Sequence, residues 1–204
     1  MRAVHWLKND MTSGTGSEKA WIIGETRTIK GAIKLCIRGY HSSKSWYDAL
    51  QYAHGVMACI VEVSGKTING NDKQVSSTRK LIDVRDATKT LMEFGIDCAE
   101  RVLPNFENYY PQDDRPRKTI KNTRDFNKGL ITQDVLSAAR SAARSAARSA
   151  ARSAARSAAW SASKSAAWSA AKSAAWSAAW SAAWSAEIKW QKQHLDKLMK
   201  ELFR

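Results

Sequence analysis

The sequence predicts an α+β fold: a small N-terminal mixed domain, then helices, then a long Ala/Ser-rich α-helical repeat segment. Three observations carry this. Short apolar runs separated by turn-forming residues fill positions 1–84. Apolar residues at helical spacing fill 85–130. A four-residue Ser-Ala-Ala-X unit then recurs from Ser137 to Ser185 almost without exception, with no Gly or Pro inside it. The expected organisation is an α+β domain at 1–84, a helical connector at 85–130, and the repeat helix with an amphipathic end at 131–204.

In chain order, Trp21-Ile22-Ile23 and Ile33-Lys34-Leu35-Cys36-Ile37 have strand character, and Met57 to Val63 is the clearest strand, ended by Ser64-Gly65. Between them Trp46, Ala49, Leu50 and Ala53 fall at helical spacing, which predicts a short helix over Ser45 to Tyr52. Gly70-Asn71-Asp72-Lys73 is a turn by composition. Asp86 opens a helix through Leu91, Phe94, Cys98 and Val102, which Pro104 interrupts or kinks. A loop from Tyr110 leads to a further helix starting at Pro116 and stopped by Gly129. Thr132, with Asp134 behind it, is a credible N-cap for the repeat.

Ala is the best helix former and Ser costs about half a kcal/mol, so propensity favours a long helix; residues 132–204 as one rod would reach ~110 Å. Four residues advance an α-helix by roughly 400°, so each X side chain is displaced about 40° from the one before. The arginines (Arg140, Arg144, Arg148, Arg152, Arg156) therefore spiral across part of the circumference, and the tryptophans (Trp160, Trp168, Trp176, Trp180, Trp184) continue the spiral. A coiled-coil seam needs a period near 3.5, which this is not. The small Ser and Ala faces instead suit close packing in a helix bundle or oligomer. Five indoles within 25 residues are too much apolar surface to leave in water. Self-association, or folding back on the N-terminal domain, is expected, with Trp190 contributing. Ile188, Leu195, Leu198, Met199, Leu202 and Phe203 form an amphipathic end expected to dock as a cap.

The net charge of +14 is uneven. Residues 1–130 carry 21 basic and 15 acidic side chains, and residues 131–204 carry 12 and 4, so the repeat is the more basic part. Such a balance suits solubility and contact with polyanions. Cys36, Cys59 and Cys98 lack paired spacing and are expected to be buried free thiols. The N-terminus has no apolar h-region, and the longest charge-free stretch of the repeat, Ser173 to Ala186, is fourteen residues, too short to span a bilayer. These features predict a soluble protein of the host cytoplasm. The histidines at 5, 41, 54 and 194 form no metal-binding spacing with the cysteines, so neither a metal nor a cofactor is expected.

Leu35-Cys36, Gly39-Tyr40-His41-Ser42 and Asp48-Ala49-Leu50-Gln51-Tyr52-Ala53 resemble a domain frequent in bacteriophage and mobile-element proteins. The resemblance continues through Val61 to Gly65, Gly70 to Lys73, Arg79, Asp86-Ala87 and Cys98-Ala99. Followed by an Ala-rich helical repeat, these residues resemble chains labelled as immunity proteins, and nearly the whole length is covered. The resemblance implies a role in counteracting a toxin or a defence system. The repeat departs from the usual pattern by using Ser where many relatives have Asp or Ala, which makes this chain more basic.

A second similarity is to the nicotinamide-binding part of ADP-ribosyltransferase folds, through Gly39, Ser42-Ser43, Ser45, Tyr52, Gly55 and Gly65. It implies that Tyr52 stacks on nicotinamide and His5 holds a ribose; no downstream Glu is placed to complete that site.

The leading expectation is a non-enzymatic immunity or anti-defence binding protein acting by ligand sequestration. His41, Ser42, Trp46, Tyr52 and Lys73 are its candidate ligand-binding residues and no residue is assigned as catalytic: His41 beside two serines lacks both an acidic orienter and a nucleophile elbow. The expected partner is a toxin, a defence protein or a nucleotide-like signal, with homo-oligomerisation through the repeat. Three alternatives stay open: nucleic-acid binding through Arg140 to Arg156, ADP-ribosyltransferase-like chemistry, and a purely structural helical assembly.

Overall fold

The computed structural model describes residues 1–14, 18–135, 137–138, 141 and 185–204. The predicted repeat helix lies almost entirely outside the described residues, as do Arg140, Arg144, Arg148, Arg152, Arg156, Trp160, Trp168, Trp176, Trp180 and Trp184. The fold is α+β: a five-stranded antiparallel sheet in the N-terminal part, with helices after it. The chain divides into two compact units, residues 1–91 together with 190–204, and residues 92–189.

In the first unit β1 (Arg2–Leu7), β4 (Met57–Asn69), β5 (Gln74–Asp86) and β2 (Thr26–Thr28) are neighbours in that order, and β3 (Tyr40–Ser42) also pairs with β5. The β4–β5 hairpin is the spine, closed by the turn at 70–73, where Gly70 N–H donates to the Lys73 carbonyl (2.7 Å). Reciprocal hydrogen bonds between Val4 and Ser43 (2.9 and 3.0 Å) tie the end of β3 back to β1. The strands β1, β4, β5 and β3 thus make a closed circuit, which protects edges that would otherwise expose unpaired backbone groups.

Residues opposite one another in register share a face. Ala3 pairs with Val61 and Val61 with Leu81; His5 pairs with Cys59, and Val63 with Arg79. This face carries the core of Ala3, Leu7, Trp21, Cys59, Val61, Val63 and Leu81, together with two polar side chains, His5 and Arg79. Trp6, one residue out of phase with His5, points to the other face and meets Trp46 edge-on at 5.4 Å.

The helix α1 (Trp46–Leu50) forms because Ser45 caps it: Ser45 Oγ accepts from Asp48 N–H (3.2 Å) and donates to Asp48 Oδ2 (2.6 Å). Residues 185–202 are helical, and their 190–204 part belongs to the same unit as α1. Leu195 and Met199, one helical turn apart, are fully buried, Phe203 stacks on Trp46 at 5.5 Å, and Asp196 Oδ1 accepts from the Trp46 backbone N–H (3.2 Å). Lys192 adds an ion pair to Asp48 at 2.9 Å. The amphipathic end docks on the N-terminal unit as a cap.

The second unit contains most of α2 (Thr88–Glu107) and all of α3 (Arg115–Asn127). Asp86 Oδ1 accepts from Thr88 N–H (2.8 Å) at the start of α2. Pro116 lies in the first turn of α3. That helix ends in a Schellman arrangement, with Gly129 N–H donating to Phe126 O and Leu130 N–H to Asp125 O, both at 2.8 Å. Arg124 on α3 reaches Glu93 (2.9 Å), Asp97 (2.8 Å) and Glu100 (3.1 Å) on α2, and Arg117 forms a two-toothed pair with Glu107.

Several expectations are corrected. Trp21-Ile22-Ile23 is loop: only Trp21 turns inward, while Ile22 and Ile23 are exposed, so the apolar run plugs one residue into the core instead of pairing. Residues 33–37 form a tight turn bridged by Lys34 and Arg38, with Cys36 at φ 65°. Ser64-Gly65 does not end β4. Gly65 takes φ 73°, and a Cβ there would stand 2.2 Å from Ser77 Oγ, so the glycine absorbs a register shift as a bulge and the strand continues to Asn69. Pro104 does not interrupt α2, which continues to Glu107. Of the cysteines expected to be buried, Cys59 is buried, Cys98 half-buried and Cys36 exposed.

Candidate ligand-binding site

A cavity of about 500 Å³ opens in the N-terminal unit, among β1, β3, the end of α1, the β4–β5 turn and β5. His5 reaches it from β1, His41 and Ser42 from β3, Tyr52 from just past α1, Lys73 from the turn and Arg79 from β5. Gly39 permits the close approach: it sits at φ 130°, and a Cβ would stand 2.3 Å from Val75 Cγ2.

Of the residues singled out in the sequence, His41, Ser42, Tyr52 and Lys73 line this one cavity. His5, which the ADP-ribosyltransferase similarity places beside a ribose, lines it too. Trp46 does not; it is buried against Trp6 and Phe203 as part of the core. Trp190 lies apart from the cavity and stacks on His194 at 4.7 Å. Sequence reasoning missed the residue at the centre, Arg79, along with Ser13 and Glu18. Arg79 was visible only as one position of a family resemblance. A lone arginine in an alternating strand reads as surface, and burial through a register pairing leaves no mark in composition.

Arg79 is 2% exposed. Its guanidinium donates to Ser13 Oγ (3.1 Å) and to the His41 carbonyl (3.3 Å), and it packs over the Trp21 and Tyr40 rings at 4.4 and 5.0 Å. Its nearest carboxylate, Glu18, is 3.8 Å away. Both Glu18 oxygens are engaged, Oε1 by Trp21 Nε1–H (2.8 Å) and Oε2 by Ser13 N–H (3.1 Å). Burial pulls the Arg79 pKa down to about 10.

Burial holds the His5 imidazole well below its ordinary range, with the Arg79 charge adding to the effect. Burial also lowers His41, assisted by Lys73. His41 Nε2 accepts from the Cys36 backbone N–H (2.8 Å), which needs an unprotonated nitrogen there and fixes the ring as neutral. The left-handed backbone of Cys36 presents that N–H to the ring. Ser42 Oγ accepts from the buried Gln74 Nε2–H (3.2 Å). His5 Nε2 lies 3.3 Å from Ser13 Oγ. At the rim, the Tyr52 hydroxyl donates to Asp72 and the Lys73 ammonium lies 3.8 Å over the Tyr52 ring.

Chemically this is a set of fixed donors and cations. His41 Nε2 is committed to the Cys36 N–H, so it does not serve as a base for Ser42. Ser13 and His5 are in contact, but the only carboxylate among the described lining residues, Glu18, is engaged elsewhere. Among the described residues no cluster of three or more His, Cys, Asp or Glu side chains is arranged to hold a metal ion, and no helix is long and apolar enough to cross a membrane.

Fold and cavity together define an α+β unit with an open cavity, followed in the chain by a helical unit. The chain belongs to the family described as Imm-5 like putative immunity protein, whose profile matches residues 84–201, more than half its length. Residues 1–93 match a domain of unknown function, DUF7666. No curated protein and no solved structure matches the chain. The family points to an immunity-type function.

Proposed function

We propose that this chain is a non-enzymatic immunity or anti-defence protein of a phage or mobile element, and that it neutralises its target by sequestration. The N-terminal cavity takes a small ligand, and the Ser-Ala-Ala-X repeat drives homo-oligomerisation. The observation that carries the ligand reading is the cavity itself. It is roomy enough for a small molecule and lined by convergent donors and cations, and its His41 ring is held neutral by the Cys36 N–H. The His41 ring is spent on holding the 36–41 turn and is not a base free to move a proton. The family relationship supports neutralisation as the outcome.

The test is native mass spectrometry of the full-length chain purified without stripping bound molecules. A defined oligomer carrying extra small-molecule mass is the expected result. A bare monomer overturns both the oligomer and the ligand. Turnover of NAD that Tyr52→Ala removes would replace the reading with the transferase alternative. Replacing Trp176, Trp180 and Trp184 by Ser should dissolve the oligomer and leave the N-terminal unit folded.

A further inference from the structure

We infer that the ligand of this cavity is a phosphate monoester of nucleotide size, its phosphoryl group seated against Arg79 and its remainder reaching the mouth at Tyr52 and Lys73. The inference deepens the sequestration reading and rests on it.

The charge of Arg79 is only loosely answered, its carboxylate partner Glu18 standing 3.8 Å away. A guanidinium buried to 2% exposure is costly unless its charge and its five N–H donors are matched. Its contacts with Ser13 and the His41 carbonyl are to neutral oxygens, and Glu18 stands beyond hydrogen-bond distance with both oxygens already accepting. The guanidinium packs over the Trp21 and Tyr40 rings and lines the cavity. Counting the lining side chains, Arg79 and Lys73 are positive and Glu18 is negative. An anion that reaches the buried guanidinium meets an attraction in a low-dielectric setting. The lowering of Arg79 by burial is what an under-compensated cation shows, and a bound anion would reverse it.

The donors also select the kind of anion. The Arg79 fork on β5, the Ser13 hydroxyl from the loop after β1 and the Ser42 hydroxyl on β3 reach the cavity from separate elements. A carboxylate offers two coplanar oxygens; a phosphate monoester offers three arranged in a tripod. Ser42 accepts from Gln74 and so can donate its own proton into the cavity. About 500 Å³ exceeds what inorganic phosphate needs and suits a small organic body, for which Val4, Ile29 and Ala49 offer apolar surface and Tyr40 and Tyr52 offer rings.

The experiment titrates the full-length chain calorimetrically with AMP, adenosine and inorganic phosphate, alongside 31P NMR of AMP. The expected result is AMP bound about tenfold or more tighter than adenosine, with inorganic phosphate competing. Arg79→Lys keeps the charge but loses the fork and should bring AMP close to the adenosine level. Lys73→Met, which removes the rim cation without touching the buried core, should weaken AMP about fivefold; it decides the matter if Arg79→Lys fails to fold. Equal binding of AMP and adenosine, or no binding of AMP and phosphate, overturns the phosphoryl assignment. A neutral molecule co-purifying in the native mass spectrum would then leave sequestration standing, whereas a bare chain that binds none of the three probes removes both.

Discussion

The dock of residues 190–204 onto the N-terminal unit can be put to a quantitative test with Leu195→Ala. Leu195 has no exposed surface, lies one turn from the equally buried Met199, and belongs to the segment that covers Trp46 through Phe203 and Asp196. Truncating a fully buried leucine removes its transfer free energy and leaves a cavity, which together cost about 2–5 kcal/mol. Taking ~3 kcal/mol, the slowest-exchanging amides of β4, which open only when the unit unfolds, should exchange about 150-fold faster. Hydrogen exchange with mass spectrometry is the suitable assay, because it reports on peptides of β4 and α1 directly, whereas most of the nine tryptophans lie outside this unit and would confuse fluorescence. Lys200→Ala, on the exposed side of the same helix, is the control and should change exchange by less than about threefold. A Leu195→Ala change no larger than the control would show that residues 190–204 do not stabilise the unit, and would refute the packing argument.

Other expectations are as direct. His5 and His41 are both held low, chiefly by burial, so below about pH 6.5 the unfolded chain binds protons that the folded chain refuses. Stability is then complete above pH 6.5 and falls as the pH drops below it, by up to about 1.4 kcal/mol per pH unit for His5; a pH series of urea melts should show this slope, and His5→Gln should reduce it. Arg124→Ala leaves Glu93, Asp97 and Glu100 clustered without their shared cation, and should cost about 2 kcal/mol at low ionic strength, less in salt, read as faster exchange in α2. Under native conditions iodoacetamide should label the exposed Cys36 first. Cys59, buried and with its thiol pushed up to about 12, should react only on unfolding, and peptide mapping of the labelled chain would show a different order if that burial is wrong.

What the sequence made legible was local. The short helix expected over Ser45 to Tyr52, the Pro116 start and Gly129 stop of α3, and the amphipathic spacing of Leu195 and Met199 are each written within a few residues, and each is found in the structure. The strand expectations failed where an apolar run served another purpose. Trp21 is apolar because it covers a guanidinium, and Ile33 to Ile37 is a turn that holds the Cys36 N–H against His41. In β4 the sequence showed turn chemistry at Gly65 where the chain uses it for a bulge. The cavity was half legible. Residues clustered in the sequence from 41 to 52 could be linked on paper, but Ser13 and Arg79, separated by 66 positions, meet only because β1, β4 and β5 bring them together.

That long-range meeting bears on why Arg79 is where it is. The N-terminal core cluster is modest, with Ala3 and Cys59 among its members, and an apolar side chain at position 79 would enlarge it. Buried charges replaced by well-packed apolar groups often leave stability unchanged or raised. A guanidinium kept between two aromatic rings, within reach of a cavity and answered by a carboxylate whose oxygens are already engaged, is therefore poorly explained by stability alone. The neighbouring geometry points the same way. His5 and His41 are kept neutral on either side of it, and Gly39 gives up its side chain so that the cavity wall can close against Val75. Each of these choices costs the domain something in packing or desolvation, and all of them converge on one volume of space. Binding is the economical account of that convergence, and the buried guanidinium gives the ligand its sign.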